Sequence, residues 1–502
     1  MKTKSIMFQG TTSDAGKSWT AAALCRILKN RGLNVAPFKS QNMALNSFIT
    51  QSGDEMGRAQ VFQAEAAGKK PDVRMNPILL KPSTDKESQV VFMGKVLKNM
   101  DAVTYQKYKP ELKSKILKTY KSLAKENDVM VLEGAGSPAE INLSDRDIVN
   151  MGMAKMADCP VILVADIDKG GVYAAIYGTV KLLPKEDQKR IKGIIINKFR
   201  GDSSLLVSGN KMIEKLTGIP VIGVIPMTNI DIDDEDSVAL SQKSKVKDEM
   251  RPIDVAVIAL PKISNFTDFH SLEIQPDVSV RYVLNPEEIG LPDILIIPGS
   301  KNTNEDMAYL HNHGFVKPIQ AIHRKGTMIV GICGGYQMLG TKLIDKHHVE
   351  SNLAIQDGLK LLDTKTTFTQ VKRTTQATAK HNEFNLNGYE IHMGETSLGA
   401  DVKPFAVITT NNGKPTQRND GAISSDGSVW GTYLHGVFDN DHWTRHLLNK
   451  IRTQKGLPEL NNVKISMKKY RESQYEMLAK AFENNVDMKK LDEILFSSEA
   501  KE

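Results

Sequence analysis

The chain is poor in cysteine. Its three thiols, Cys25, Cys159 and Cys333, lie far apart in 502 residues and form no Cys-x-x-Cys pair. That excludes a disulfide framework or a cysteine zinc site. No uninterrupted apolar stretch is long enough for a membrane-spanning helix. The opening "MKTKSIMFQGTTSDAGKS" has no long apolar core before its glycine loop, so it does not read as a signal peptide. Arg-rich blocks and basic tracts interleaved with aromatics are also missing. The net charge of +7 comes from scattered lysines, so neither nucleic acid nor membrane is an expected partner. Together these absences suit a cytoplasmic protein, and a positive surplus of this kind helps attract an acidic small substrate or a nucleotide.

What is present describes an ordinary globular protein: 40% hydrophobic and 25% charged residues. A chain of 502 residues is too long for one core, and two domains of roughly 200–250 residues each are expected. The first half alternates apolar runs with amphipathic ones, as parallel strands joined by helices do. The strand candidates are "SIMFQG", "NVAPFK", "VMVLEG", "PVILVADID", "IKGIIINK" and "PVIGVIP". Between the first two, Ala21, Leu24, Ile27 and Leu28 share one helix face, and Gly32 offers a stop. These features predict a doubly wound α/β domain over 1–230. The polar segment 231–251 is read as a linker. A second α/β series over 252–445 begins with "IDVAVIAL", continues through "SVRYVL", "DILIIPGS" and "GTMIVGIC", and ends in mixed strands. A charged helical extension, 446–502, is expected to pack on that second domain.

"GTTSDAGKS", Gly10 to Ser18, follows the first strand and opens the first helix. Backbone amides of Gly10, Thr11, Thr12 and Gly16 and the helix N-terminus suit phosphate oxygens, Lys17 suits the β and γ phosphates, and Ser18 suits Mg²⁺. The loop is one residue longer than the standard spacing. It resembles the loop of dethiobiotin synthetase and its relatives, which use ATP. Thr12 stands where MinD-type ATPases carry a second lysine. Glu133 ends a strand where a carboxylate can help hold Mg²⁺. Asn197 ends another, where it either reads an adenine edge or forms a turn.

"GTMIVGICGGYQMLG" reads as strand, sharp turn, helix, with Cys333 framed by Gly331 and Gly335. This is the thiol counterpart of a nucleophile elbow. A helix beginning just after the sulfur favours thiolate, and the amides of Gly334 and Gly299 are candidate oxyanion donors. A nucleophile needs a base. Of the 11 histidines, His435, ending a strand in "VWGTYLHGVFDN", is chosen over His392 in "GYEIHMG".

A thiol hydrolase domain beside an ATP domain suggests ammonia released from glutamine and used on an activated carboxylate. With "PFKSQNMALNS", "GDEMGRAQ", "MNPILLKP", "EGAGSPAEINL", "DIDKGGVYA", "NKFRGD", "PGSKNT" and the motifs above, the chain resembles the cobyric acid synthase family of cobalamin biosynthesis over nearly its whole length. "PFKSQNMALNS" and "MNPILLKP" favour that family over cobyrinate a,c-diamide synthase. The resemblance implies an N-terminal P-loop domain of the dethiobiotin synthetase type and a C-terminal class I glutamine amidotransferase-like domain. It implies ATP, with Mg²⁺, and amidation of the b, d, e and g carboxylates of adenosylcobyrinate a,c-diamide, using nitrogen from glutamine or ammonia. It makes Cys333 the glutaminase nucleophile and His435 its base. Lys39, Gln41, Asn42, Asn46 and Arg58 are candidate contacts for the carboxylate-rich substrate; caps and surface polar residues are the alternative. Triad glutaminases usually carry Glu two residues after the histidine, whereas here Val437 stands there. The third member of the site stays open, and its absence is the one feature favouring a non-catalytic ATP-binding regulator.

Overall fold

The structure, a computed structural model, describes residues 3–83, 87–232, 243–461 and 465–497. It divides into two compact units, one of Met1–Met43, Met56–Asp233 and Arg471–Glu502, the other of Ala44–Glu55 and Asp234–Tyr470. Most of the central part of the expected linker, 233–242, lies outside the described residues.

In the first unit all six expected strands form one parallel sheet. Its order is Val221–Pro226, Ile191–Phe199, Val161–Asp166, Lys4–Gly10, Val129–Glu133, Val35–Phe38. The central strands are near-continuous apolar runs because helices cover both faces. Ile6, Phe8, Val131, Ile162 and Val164 are all essentially buried. The first strand sits between two neighbours that follow it much later in sequence, and the carboxyl edge there is where such sheets bind ligands. The helix Lys17–Asn30 starts at that edge. It buries Ala21, Leu24, Cys25, Ile27 and Leu28 and ends before Gly32, whose φ of 83° only glycine adopts freely.

Two features of this unit depart from the sequence reading. Gln41–Met43, Ile78–Pro82, Glu87–Phe92 and Lys95–Asp101 form a separate four-stranded sheet. Its last hairpin turns on Met93 and Gly94, at φ 48° and 76°, the pair of positive φ values that a tight hairpin twist requires. The C-terminal helices Met467–Asn485 and Met488–Phe496 were expected on the second domain. Instead Tyr475, Leu478, Phe482, Leu491 and Leu495 share a core with Ile6, Phe8, Trp19 and Leu24 of the first unit. The Phe482 ring lies 6.5 Å from Phe8 and 6.4 Å from Trp19, so apolar burial decides the partner and chain order does not.

The second unit is built on a seven-stranded sheet ordered Val278–Val283, Ile253–Ile258, Ile294–Ile297, Met328–Ile332, Val429–Thr432, Ala422–Ser424, Val402–Lys403. The first five are parallel and the last two join antiparallel. Beside it, the long strands Thr364–His381 and Phe384–Leu398 pair antiparallel. The segment Ala44–Glu55, which comes from the first half of the sequence, belongs to this unit. Among the described residues no helix is long and apolar enough to cross a membrane.

Candidate active site

Cys333 follows the strand Met328–Ile332 at φ 53° and ψ −109°, outside the conformations an L-residue adopts freely, and the helix Gly334–Leu339 begins at the next residue. The flanking glycines are there for space. A Cβ on Gly335 would lie 1.9 Å from the Ile297 carbonyl oxygen, and one on Gly331 would lie 2.7 Å from the Gly335 carbonyl. The elbow therefore forms only where both side chains are missing. Cys333 is 6% exposed, and its Sγ donates to the Ile391 carbonyl at 3.5 Å.

His435 reaches the same edge because its strand is the parallel neighbour of the cysteine strand. Ile332 pairs in register with Thr432, and the Cys333 amide donates to the Thr432 carbonyl at 2.8 Å. Parallel register thus carries residues about 100 apart in sequence to one end of the sheet. The His435 imidazole is buried. Cys333 acts on the ring both electrostatically and as a side-chain hydrogen-bond partner.

The residue that sequence reasoning missed is Asp268. Its Oδ2 lies 2.7 Å from His435 Nδ1, and its Oδ1 accepts the Gly436 amide at 3.0 Å. It sits in the short 3-10 turn Phe266–Phe269. Val437, where a glutamate was sought, is fully buried in apolar surroundings. The carboxylate therefore comes from an element 167 residues earlier. Burial alone would lower the imidazole pKa. The Asp268 carboxylate, together with the neighbouring Cys333, overcomes that and raises it to about 10.

Around this line the turn at Gly334 lies against Ser300, so close that a Cβ on Gly334 would meet the Ser300 amide nitrogen at 2.9 Å. Gly299 borders the imidazole, with His435 Cε1 3.5 Å from where its Cβ would stand. Gln337, a turn beyond Cys333, accepts from Thr303 Oγ1 at 3.0 Å and donates to the Tyr433 hydroxyl at 3.2 Å. His392 stacks on Tyr433 at 3.7 Å. Its ring nitrogen Nδ1 lies 2.8 Å from the Gly394 carbonyl, and burial lowers its pKa despite the nearby Glu390.

The phosphate-loop residues converge in the first unit. Gly16, at φ 99°, caps the helix that opens at Lys17. Lys17 Nζ donates to the Thr12 and Gly136 carbonyls at 3.0 and 3.1 Å. The Thr12 hydroxyl is buried without a hydrogen-bond partner among the described residues, as a donor awaiting an anion would be. Glu133, 1% exposed, accepts from Ser18 Oγ and Lys39 Nζ on Oε1, both at 2.8 Å, and from Gln63 Nε2 on Oε2 at 2.5 Å. Ser18 and Glu133 are an oxygen set suited to Mg²⁺, with the Lys39 ammonium now supplying the compensating charge. Asn197 Nδ2 donates to the Ala15 carbonyl at 3.0 Å and lies 1.9 Å from where a Gly16 Cβ would be. In this structure its amide braces the loop.

The candidate substrate residues divide. Lys39 pairs with Glu133, the Gln41 carbonyl oxygen accepts from the Tyr105 hydroxyl at 2.6 Å, and Asn42 donates to Gln60 at 3.1 Å. Arg58 opens the helix Arg58–Ala66 next to Gly57, whose Cβ would stand 2.9 Å from Asn42 Nδ2. Asn46 is elsewhere: it lies in the Ala44–Glu55 segment of the other unit, so the five residues do not form one cluster within a unit.

Comparison with known proteins agrees with both halves. Residues 254–443 match the model of a CobB/CobQ-like glutamine amidotransferase domain, and residues 6–237 match a CobQ/CobB/MinD/ParA nucleotide binding domain. A cobyric acid synthase of Limosilactobacillus reuteri (strain DSM 20016) is 68% identical over 99% of this chain and 99% of its own length. The chain belongs to the cobyric acid synthase family. Cobyric acid synthases of Streptococcus sanguinis (strain SK36) and Listeria monocytogenes serotype 4b (strain F2365) are 60% and 58% identical, each over 98% of this chain and over 99% and 96% of their own.

Proposed function

We propose that this chain amidates the b, d, e and g carboxylates of adenosylcobyrinate a,c-diamide in the cytoplasm, taking nitrogen from glutamine or ammonia and energy from ATP. The observation that carries the reading is the buried line of Cys333, His435 and Asp268 at one sheet edge. Three free, buried cysteines suit a reducing compartment.

In the glutaminase unit the Cys333 thiol passes its proton to His435 as its sulfur adds to the glutamine carboxamide carbon, and amides at Gly334 and the Gly299–Ser300 turn receive the negative oxygen. His435, held in orientation by Asp268, gives a proton to the departing nitrogen, which leaves as ammonia. The resulting thioester is cleaved by water, whose proton His435 takes and passes to the departing sulfur, so glutamate leaves with the thiol restored. Asp268, 2.7 Å from His435, supports the catalytic reading even though Val437 stands where a glutamate was sought.

In the nucleotide unit, Gly10, Thr11, Thr12, Gly16 and Lys17 hold the phosphates of ATP, with Asn197 supporting the loop, and Ser18 and Glu133 would hold Mg²⁺. ATP with Mg²⁺ supplies activation of the substrate carboxylate and neutralises phosphate charge. Lys39, Gln41, Asn42 and Arg58 are the polar side chains of this unit proposed to face that carboxylate.

The test is Cys333→Ala, assayed for ATP-dependent amidation of adenosylcobyrinate a,c-diamide with glutamine and with ammonium. Activity with glutamine is lost and activity with ammonium is kept. Equal activity with both overturns the nucleophile assignment, and preference for the hexacarboxylate precursor overturns the substrate.

A further inference from the structure

Around His435 there is a support that the proposed chemistry does not use. Tyr389 lies beside the histidine in an isolated antiparallel bridge: the His435 amide donates to the Tyr389 carbonyl at 2.8 Å, and the Tyr389 amide donates to the His435 carbonyl at 3.2 Å. Their rings stack at 5.1 Å with 19° between planes. The phenol is fixed in turn from the Ala44–Glu55 segment. Its hydroxyl donates to the Ser47 carbonyl at 3.1 Å and accepts from Asn265 Nδ2 at 3.3 Å, while Asn265 Oδ1 accepts the Ser47 amide at 3.1 Å. Asn265, at φ 54°, is also the N-cap of the turn that carries Asp268. Phe48 lies 5.1 Å from the Tyr389 ring. Ile49, Tyr389 and Ile391 form a buried apolar cluster, and the Ile391 carbonyl is the acceptor for Cys333 Sγ.

One short arm therefore touches the support of all three members of the site: Tyr389 behind His435, Asn265 at the head of the Asp268 turn, and Ile391 against Cys333. The arm is itself firmly seated. Thr50 and Asp54 close its tip by a 2.8 Å backbone bond. Thr374 donates to the Gly53 carbonyl at 2.9 Å, Lys372 pairs with Glu55 at 2.6 Å, and Gln376 donates to the Ile49 carbonyl. In sequence it is bounded at one end by Gln41 and Asn42 and at the other by Arg58, residues proposed above to face the substrate carboxylate.

We propose that Tyr389 is a positioning residue for His435 and that the Ala44–Glu55 arm sets its position, so that glutamine hydrolysis depends on how the arm is seated. This rests on Cys333 and His435 being the glutaminase pair. The stacked phenol favours the imidazolium form that protonates the departing nitrogen. The hydroxyl bonds to Ser47 and Asn265 fix the ring's tilt, and a displaced base is costly because reaction needs close alignment.

The test uses full-length Tyr389→Phe, Tyr389→Leu and Phe48→Ala proteins, measuring glutamine hydrolysis across pH and using ammonium-supported amidation as the check of folding. Tyr389→Leu lowers glutaminase kcat by about tenfold, with KM for glutamine within about twofold. Its basic limb moves to lower pH because the imidazolium has lost its stacked ring. Tyr389→Phe keeps the basic limb and lowers kcat less, since the ring remains and only its anchor is lost. Phe48→Ala, which leaves the pair untouched, lowers kcat in the same direction. Unchanged kcat and pH profile in Tyr389→Leu, or an unchanged kcat in Phe48→Ala, overturns the proposal. Full glutamine-dependent activity in Cys333→Ala would instead overturn the pair on which it rests, so the two failures are distinct.

Discussion

At His435 two opposing influences meet, burial and the charge of Asp268, and their balance has a measurable sign. Burial favours neutral imidazole, while Asp268 at 2.7 Å and the neighbouring Cys333 favour imidazolium, and the charged form wins with a pKa raised to about 10. A histidine whose folded pKa lies above its unfolded value of 6.5 contributes stability that is complete below that value and is lost as pH rises through about 10. Asp268→Asn keeps the size of the side chain and removes the charge. Its glutamine-dependent turnover should fall by about a hundredfold or more, and the basic limb of its glutaminase profile should move toward the ordinary histidine range. Its deficit in thermal midpoint against the parent protein should be larger near neutral pH than at about pH 10. A profile and turnover matching the parent would show that Asp268 does not govern His435.

The elements were legible wherever a local pattern determined them. Six apolar runs became six parallel strands, and the thiol elbow was readable because Gly331 and Gly335 are required by backbone contact under 3 Å. Asp268 was not legible. It is one of 59 acidic residues, and nothing in "NFTDFHS" marks it until the fold brings its turn beneath His435. The placement of Asn46 was hidden for the same reason, since the arm's neighbours come from residues 265 and 372–391. The destination of the C-terminal helices was also a matter of long-range burial. Their amphipathic pattern fixed which face is covered but could not name the cover. Phe482 provides the check: it is fully buried between Phe8 and Trp19, so Phe482→Ala should destabilise the nucleotide unit by about 3–5 kcal/mol. The measurement is the urea midpoint of ammonium-supported amidation, which should drop. An unchanged midpoint would place the helix outside the unit's cooperative core.

On the scale of the whole molecule, each unit carries one half of the proposed reaction, and the two variants that remove those halves should fail differently. Lys17 opens the helix at the end of the phosphate loop, where its ammonium donates to the Thr12 and Gly136 carbonyls, and phosphate oxygens would replace those weak neutral acceptors with charged ones. Lys17→Ala removes that cation from a step in which charge on phosphate must be neutralised, so amidation should fall by about a thousandfold. The fall should be the same with glutamine and with ammonium, because either source delivers the same nucleophile to a carboxylate that is no longer activated. Cys333→Ala should fail only with glutamine. Measuring both variants with both nitrogen sources gives four rates, and only one of them, Cys333→Ala with ammonium, should remain near the parent value. Ammonium-supported activity surviving in Lys17→Ala would mean that the carboxylate is activated somewhere other than this loop, since no change on the glutamine side can produce that result.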